Sequence, residues 1–145
     1  MLPIPIEEAW EFFSSPKNLS KITPAQMGFE ILYVSGGEKA YAGQIIRYKI
    51  KVLPWVTMHW VTEITHLKEP FHFIDEQRFG PYALWHHQHH FKAVDGGVEM
   101  TDEVNYSIPL GFLGRLAHWF FVGREVNRIF DFRFKTLEKL FSREK

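Results

Sequence analysis

Trp85-His86-His87-Gln88-His89-His90-Phe91 lies within the stretch Ala83 to Val94 and places a large ring at each end of an alternating run. Successive side chains of a strand point to opposite faces, so Trp85, His87, His89 and Phe91 share one face and His86, Gln88 and His90 the other. The apolar rings make the first set the interior one, and they carry His87 and His89 inward with them. Such a strand needs neighbours, and the flanking sequence supplies them at Phe71 to Arg78 and Val98 to Ile108, across the turn signals Gly80-Pro81 and Asp95-Gly96-Gly97. Further upstream, Phe29 to Val34, Gly43 to Val52 and Thr57 to Thr65 read as strands. Ile46, Tyr48, Ile50 and Val52 alternate there with Arg47, Lys49 and Lys51. Consecutive strands with short connections predict an antiparallel meander.

On either side of the strands the period changes to that of helices. Ile6, Ala9, Trp10 and Phe13 fall on one face of a short N-terminal helix that Ser14-Ser15-Pro16 stops, and Asn18 to Ile22 adds a helical turn before Thr23-Pro24. From about Gly114 to Phe141 the spacing predicts a long amphipathic helix packed on the sheet. Leu116, Trp119, Val126, Phe130, Phe134, Leu137 and Phe141 form its inner face, opposite Arg124, Arg128, Lys135 and Lys139. Gly123 and Asn127 fall on that inner face where large side chains are expected, which gives either close helix-to-sheet packing or a deeper cavity. Gly111-Phe112-Leu113-Gly114 reads as the hinge between strand and helix.

Each predicted interior face carries polar intruders. The β-period gives Phe71, Phe73, Asp75, Gln77 and Phe79 as one inner set, and Val98, Met100, Asp102, Val104, Tyr106 and Ile108 as another. A buried ion or amide has to be paired or shift its pKa. Asp75, Gln77, His87, His89, Asp102 and Tyr106 are therefore predicted to meet in one polar patch of an aromatic cavity, with Arg133 at the flank of the helix completing it. The patch has three readings. It is a closed structural network, a recognition patch orienting the polar group of an apolar ligand, or a catalytic or metal-binding set in which His87 or His89 moves protons with Asp75 or Asp102. A His-x-His step alone specifies no metal, and none is assigned.

The composition narrows the partners. Among 145 residues, 17 Lys and Arg balance 17 Asp and Glu, so no strong field steers nucleic acid toward the surface. No cysteine is present, which removes disulfides and thiolate chemistry and fits a reducing compartment. Met1-Leu2-Pro3-Ile4-Pro5 lacks the pattern of a secretory signal, and no apolar run is long enough to span a bilayer. A cytoplasmic protein is expected. The sequence has no phosphate-binding glycine loop, no Gly-x-Ser-x-Gly elbow and no His-Glu-x-x-His helix, and no cofactor is predicted.

Taken together, Phe13-Ser14-Ser15-Pro16-Lys17-Asn18-Leu19, Ile22-Thr23-Pro24, Phe73-Ile74-Asp75-Glu76-Gln77, Gly80-Pro81-Tyr82 and Trp85-x-His87-x-His89-x-Phe91, continued by Asp102, Tyr106 and Pro109, resemble the SRPBCC superfamily. This is the START and polyketide-cyclase-like group, and the similarity is greatest to its uncharacterised bacterial ligand-binding members. The resemblance covers nearly the whole chain. It implies an α+β helix-grip fold over residues 1–145 as a single domain. A curved antiparallel sheet would wrap around the long C-terminal helix, with two short N-terminal helices and a hydrophobic cavity between sheet and helix. Only Met1 to Pro3 precede the first helix, where such proteins have a full strand, so six or seven strands are expected.

The functional expectation is binding or transport of a lipid, aromatic or polyketide-like molecule by a monomer or weak homodimer. Phe73, Asp75, Gln77, Trp85, His87, His89, Phe91, Tyr106, Gly123, Asn127 and Phe130 are the candidate ligand-binding residues. The alternatives are a cyclase or dehydratase-like enzyme with His87, His89 and Asp102 as catalytic candidates, and a protein-interaction module using a sheet edge or Phe121 and Phe132.

Overall fold

The computed structural model describes residues 1–53, 55–112, 114 and 118–142. Helix α1 (Ile6–Phe13) is followed by two 3-10 helices, Pro16–Ile22 and Ala25–Met27. Six strands follow: β1 (Glu30–Val34), β2 (Ile45–Leu53), β3 (Val56–Lys68), β4 (His72–Phe79), β5 (Leu84–Val94) and β6 (Gly97–Ser107). Every strand pairs antiparallel with its sequence neighbours, so the curved sheet has the order β1 to β6. A π turn at His118–Val122 leads into the long helix α2 (Gly123–Phe141). The result is an α+β helix-grip fold.

The expected choice between six and seven strands resolves as six strands and one bridge. Leu2 pairs with Val98 at the free edge of β6, its N–H donating to the Val98 carbonyl at 2.8 Å and its carbonyl accepting at 2.9 Å. Gly97 makes this approach possible. Its φ is +153°, and a Cβ there would stand 2.1 Å from the Leu2 carbonyl oxygen.

Part of the core forms where α1 meets β4 to β6. Trp10 places its ring edge-on to Phe73 and Phe91, each at 5.9 Å, and Phe13 lies 5.4 Å from Phe91. Burying each such ring contributes about 1.5–3 kcal/mol. Phe12 meets Phe141 edge-on at 5.1 Å, which ties the C-terminal end of α2 to α1. Leu137 and Phe141 join the main core; Val126 is buried but stands apart from it.

Two bulges decide which side chains face inward. In β3 the register with β4 shifts between Ile64 and His66, so Trp60, Thr62 and Ile64 face the interior and the next inward residue is Leu67. At the other end of β4 the register shifts again, because Thr62 pairs with Gln77 but Val61 pairs with Phe79. Phe79 therefore shares the outer face with Val61 and is exposed, against the expectation from strict alternation. Phe71 is exposed as well, since it belongs to a tight turn (its N–H donates to Lys68 O at 2.7 Å) and the strand starts only at His72.

The inner face of α2 is also rotated from the expected one. Val122, Ile129 and Arg133 line the interior space, Val126 and Leu137 are buried, and Phe130 is half-buried. Trp119 (74% exposed) and Phe134 (56% exposed) face outward. Apolarity alone favoured Phe134 over Arg133. The rotation instead brings Arg133 into the field of Asp75 and Asp102, and its aliphatic stem still covers apolar surface. Leu116 lies outside the described residues. Arg124, Arg128, Lys135 and Lys139 are exposed as expected. No described helix is long and apolar enough to cross a membrane.

Candidate functional site

Between the sheet and α2 lies a cavity of about 1040 Å³. Its wall is mostly apolar. Ile46, Tyr48 and Ile50 from β2, Trp60 from β3, Phe73 from β4 and Trp85 from β5 form the sheet side. Residues that line the cavity and are also exposed mark its mouth: Gln26, Lys51, Phe121, Glu125 and Arg128. Glu125 and Arg128 pair there at 3.5 Å.

The polar floor follows from strand register. Asp75 pairs across β4 and β5 with His87, Phe73 with His89, and His89 across β5 and β6 with Asp102. Each carboxylate therefore has one imidazole opposite it and the other on the diagonal, both within reach. Asp75 Oδ2 lies 3.3 Å from His87 Nδ1 and 2.9 Å from His89 Nε2. Asp102 Oδ1 lies 3.1 Å from His87 Nε2 and 2.8 Å from His89 Nδ1, the last an ion-pair distance without hydrogen-bond geometry. The two imidazoles are 3.8 Å apart at their centroids and almost fully buried, at 4% and 6% exposure. Phe73 stacks on His89 at 4.1 Å, and Phe130 of α2 stands edge-on to His87 at 5.6 Å.

This ring of two acids and two imidazoles sets its own charge state. Burial pushes both carboxyls up, but the charges and hydrogen bonds of His87 and His89 outweigh it and hold Asp75 and Asp102 well below the ordinary carboxylate range. Burial opposes charge on His89, yet its contacts with Asp102 and Asp75 raise its pKa above the usual value. Asp75, His87 and His89 also bring one potential metal-ligating atom each within 4.8 Å of one another. Those atoms are engaged with each other, and the guanidinium of Arg133 close by opposes a second cation, so the set fits a metal ion poorly.

The remaining expected site residues divide by position. Asp75, Phe73, Trp85, His87 and His89 line the cavity. Phe91 lies behind the wall in the core with Trp10 and Phe13. Tyr106 packs beside Trp85 and Tyr82, at 5.9 and 5.6 Å. Gln77 departs from the expected patch. Its amide donates to the Tyr82 carbonyl at 2.7 Å and accepts from the Tyr82 N–H at 3.1 Å, so it holds the turn that presents Tyr82 to the cavity. Gly80 makes room for that amide, because a Cβ there would lie 2.4 Å from Gln77 Oε1. Gly123 is half-buried and Asn127 exposed; neither lines the cavity, because of the rotation of α2.

Alternation marked Tyr48 as inward but did not distinguish it as a site residue. Its hydroxyl lies 3.3 Å from Thr62 Oγ1 and its ring stacks on Trp60, while burial pushes its pKa up. Burial, with Tyr106 nearby, pushes the Tyr82 hydroxyl up to about 12. Gln44, at the start of β2, is wholly buried. Its Nε2 lies within hydrogen-bond distance of the carbonyls of Ser35, Gly37 and Lys39, which closes the preceding loop over the cavity wall.

No family model matches the chain, and no curated protein does. Solved structures share its fold. Protein CV1439 from Chromobacterium violaceum superposes with a TM-score of 0.72 at 13% identity, covering 99% of this chain and 93% of that one. TTHA0849 from Thermus thermophilus gives 0.68 at 16% identity, over 95% and 90% of the two chains. Ara h 8.0201 gives 0.62 at 15% identity, over 97% and 91%. At these identities the likeness establishes the helix-grip fold alone, and function has to be argued from the site.

Proposed function

We propose that the protein binds or carries a hydrophobic small molecule in the cavity between its sheet and α2, within the cytoplasm. The observation that carries this reading is the cavity itself. Its volume of about 1040 Å³ stands at the upper end of the roughly 300–1,000 Å³ typical of ligand pockets. An aromatic and aliphatic wall with a few convergent polar groups is the usual chemistry of such pockets. The helix-grip fold hosts carriers, and the absence of cysteine suits a reducing compartment. Trp85, Phe73, Trp60 and Tyr48 supply the wall. His87, His89 and Asp75 form a fixed polar floor that orients the ligand.

The contacts of both histidines with acids also support a second reading, a cyclase or dehydratase-like enzyme. Its weakness is chemical: both nitrogens of each imidazole face carboxylates, which leaves neither aimed at a ligand as a general base. Native mass spectrometry of protein purified from its original host, with titration of an apolar fluorescent probe, tests the carrier reading. A retained small molecule or saturable probe binding is expected. A bare mass together with no probe binding would end that reading.

A further inference from the structure

Arg133 is the group in the cavity that the fold leaves unanswered. It stands on the inner face of α2, half-buried and lining the cavity, with its Nε sealed from water. Among the described residues its guanidinium has no hydrogen bond and no ion pair; its one close companion is the ring of Phe130, 5.2 Å away. Asp75 and Asp102 attract it through space, but each is already shared between two imidazoles. A buried cation without a partner is costly, and a cation–π contact offsets only a small part of that cost. Trp60 repeats the pattern in the same wall, with a buried indole N–H that has no acceptor. Two further buried atoms in the wall lack a hydrogen bond, Gln44 Oε1 and His89 Nδ1, but among these four only Arg133 carries a charge without an ion pair, and the chemistry absent opposite it is that of an anion.

The planar fork of a guanidinium matches a carboxylate held by two parallel hydrogen bonds. We propose that the cavity takes an amphiphilic carboxylic acid, its carboxylate seated on Arg133 and its apolar body laid along the aromatic wall, with the Trp60 indole N–H as a second donor. This assignment rests on the carrier reading above and narrows it from any hydrophobic molecule to an acid. The mouth fits the same charge. Glu125 and Arg128 offset each other at its rim, which leaves the positive charge of Lys51 there. The acid ring beneath makes no ion pair with Arg133, because each of its carboxylates is already engaged by both imidazoles.

The test compares cis-parinaric acid with its methyl ester, which keep the same fluorescent chain and differ in the charged head, using the full chain at neutral pH. Hydrogen bonds to a charged group are worth about 1.5–3 kcal/mol, so the wild type should bind the acid about tenfold or more tightly than the ester. Arg133→Met keeps most of the stem and should abolish that preference by bringing acid affinity down to that of the ester, and Arg133→Lys should retain part of it. Without ligand, Arg133→Met should also melt at or above the wild-type temperature, because it removes an uncompensated charge. Equal binding of acid and ester by the wild type would overturn the acid assignment and leave the carrier reading standing. So would an acid preference that survives Arg133→Met. A melting temperature lowered by Arg133→Met would equally count against an unpartnered arginine. If neither probe binds, the carrier reading falls and takes the acid assignment with it.

Discussion

Replacing Asp102 with Asn removes one charge from the floor of the cavity and leaves the shape of the side chain in place. Asp102 Oδ1 faces His87 Nε2 at 3.1 Å and His89 Nδ1 at 2.8 Å, and its side chain is 19% exposed. Removing one partner of a fully buried ion pair costs about 3–5 kcal/mol. Partial exposure, and the poor hydrogen-bond geometry of the second contact, put Asp102→Asn near the lower end, about 3 kcal/mol. For a domain of this size that lowers the melting temperature by about 10 °C.

The loss should depend on pH, with a definite sign. The raised pKa of His89 contributes stability that is complete below the unfolded value of about 6.5 and disappears as pH rises through the folded value. The depressed pKa values of Asp75 and Asp102 contribute stability that is complete above the unfolded value of about 3.9 and disappears as pH falls through the folded values. Asp102 stands 2.8 Å from His89 and, with Asp75, holds its pKa up, so the penalty for Asp102→Asn should be greatest near about pH 6 and smaller near about pH 9. Urea denaturation followed by tryptophan fluorescence at both pH values measures it. A penalty under about 0.5 kcal/mol at the lower pH, or the same penalty at both, would refute the claim that the four side chains form one charged unit.

Three other perturbations follow from the packing. Gly97→Ala puts a methyl group against the Leu2 carbonyl and should cost about 1–3 kcal/mol, with faster hydrogen exchange at the Val98 amide; unchanged exchange there would show that the bridge does not hold Leu2. Gln44→Ala strands the carbonyls of Ser35, Gly37 and Lys39 and should cost about 2–3 kcal/mol, with proteolysis appearing first between residues 35 and 43. Cleavage starting elsewhere would argue against Gln44 as the loop's anchor. Gln77→Leu frees the turn that presents Tyr82, so apolar probe affinity should fall several-fold with little change in the cooperativity of unfolding; unchanged affinity would remove Tyr82 from the working wall.

Much of this was written in the alternation of the strands. Ile46, Tyr48 and Ile50 inward against Arg47 and Lys49, and Trp85, His87 and Phe91 inward against His86 and His90, are period-two patterns that the sheet follows. The meeting of Asp75, His87, His89 and Asp102 could be anticipated for the same reason, since all four are polar residues at inward positions of adjacent strands. Alternation fails where the backbone inserts an extra residue. Nothing in the residue types around Arg78 announces the bulge that turns Phe79 outward, and Lys68-Glu69-Pro70 signals a turn without showing that Phe71 belongs to it. The rotation of α2 was hidden differently. Hydrophobic periodicity assumes that a helix presents its most apolar stripe to the core, whereas this one faces a cavity and turns a charged Arg133 toward it. Gln77 was expected to join the polar patch because inward amides look alike in sequence, and only the position of Tyr82 shows what its amide holds.

The clasp of Phe12 on Phe141 has a mechanical consequence. Phe141 and Leu137 fasten α2 to the main core at one end, Phe130 meets His87 near its middle, and the cavity opens along the helix toward the other end. A rod moves furthest at the end away from its main fastening, and about 30 Å of helix separates Phe141 from Phe121 at the rim. The time a cargo stays aboard should therefore be set by that distant pair of rings. Phe141→Ala should shorten probe residence in a stopped-flow displacement while leaving the choice of cargo intact, and an unaltered off-rate would mean that the rod does not swing.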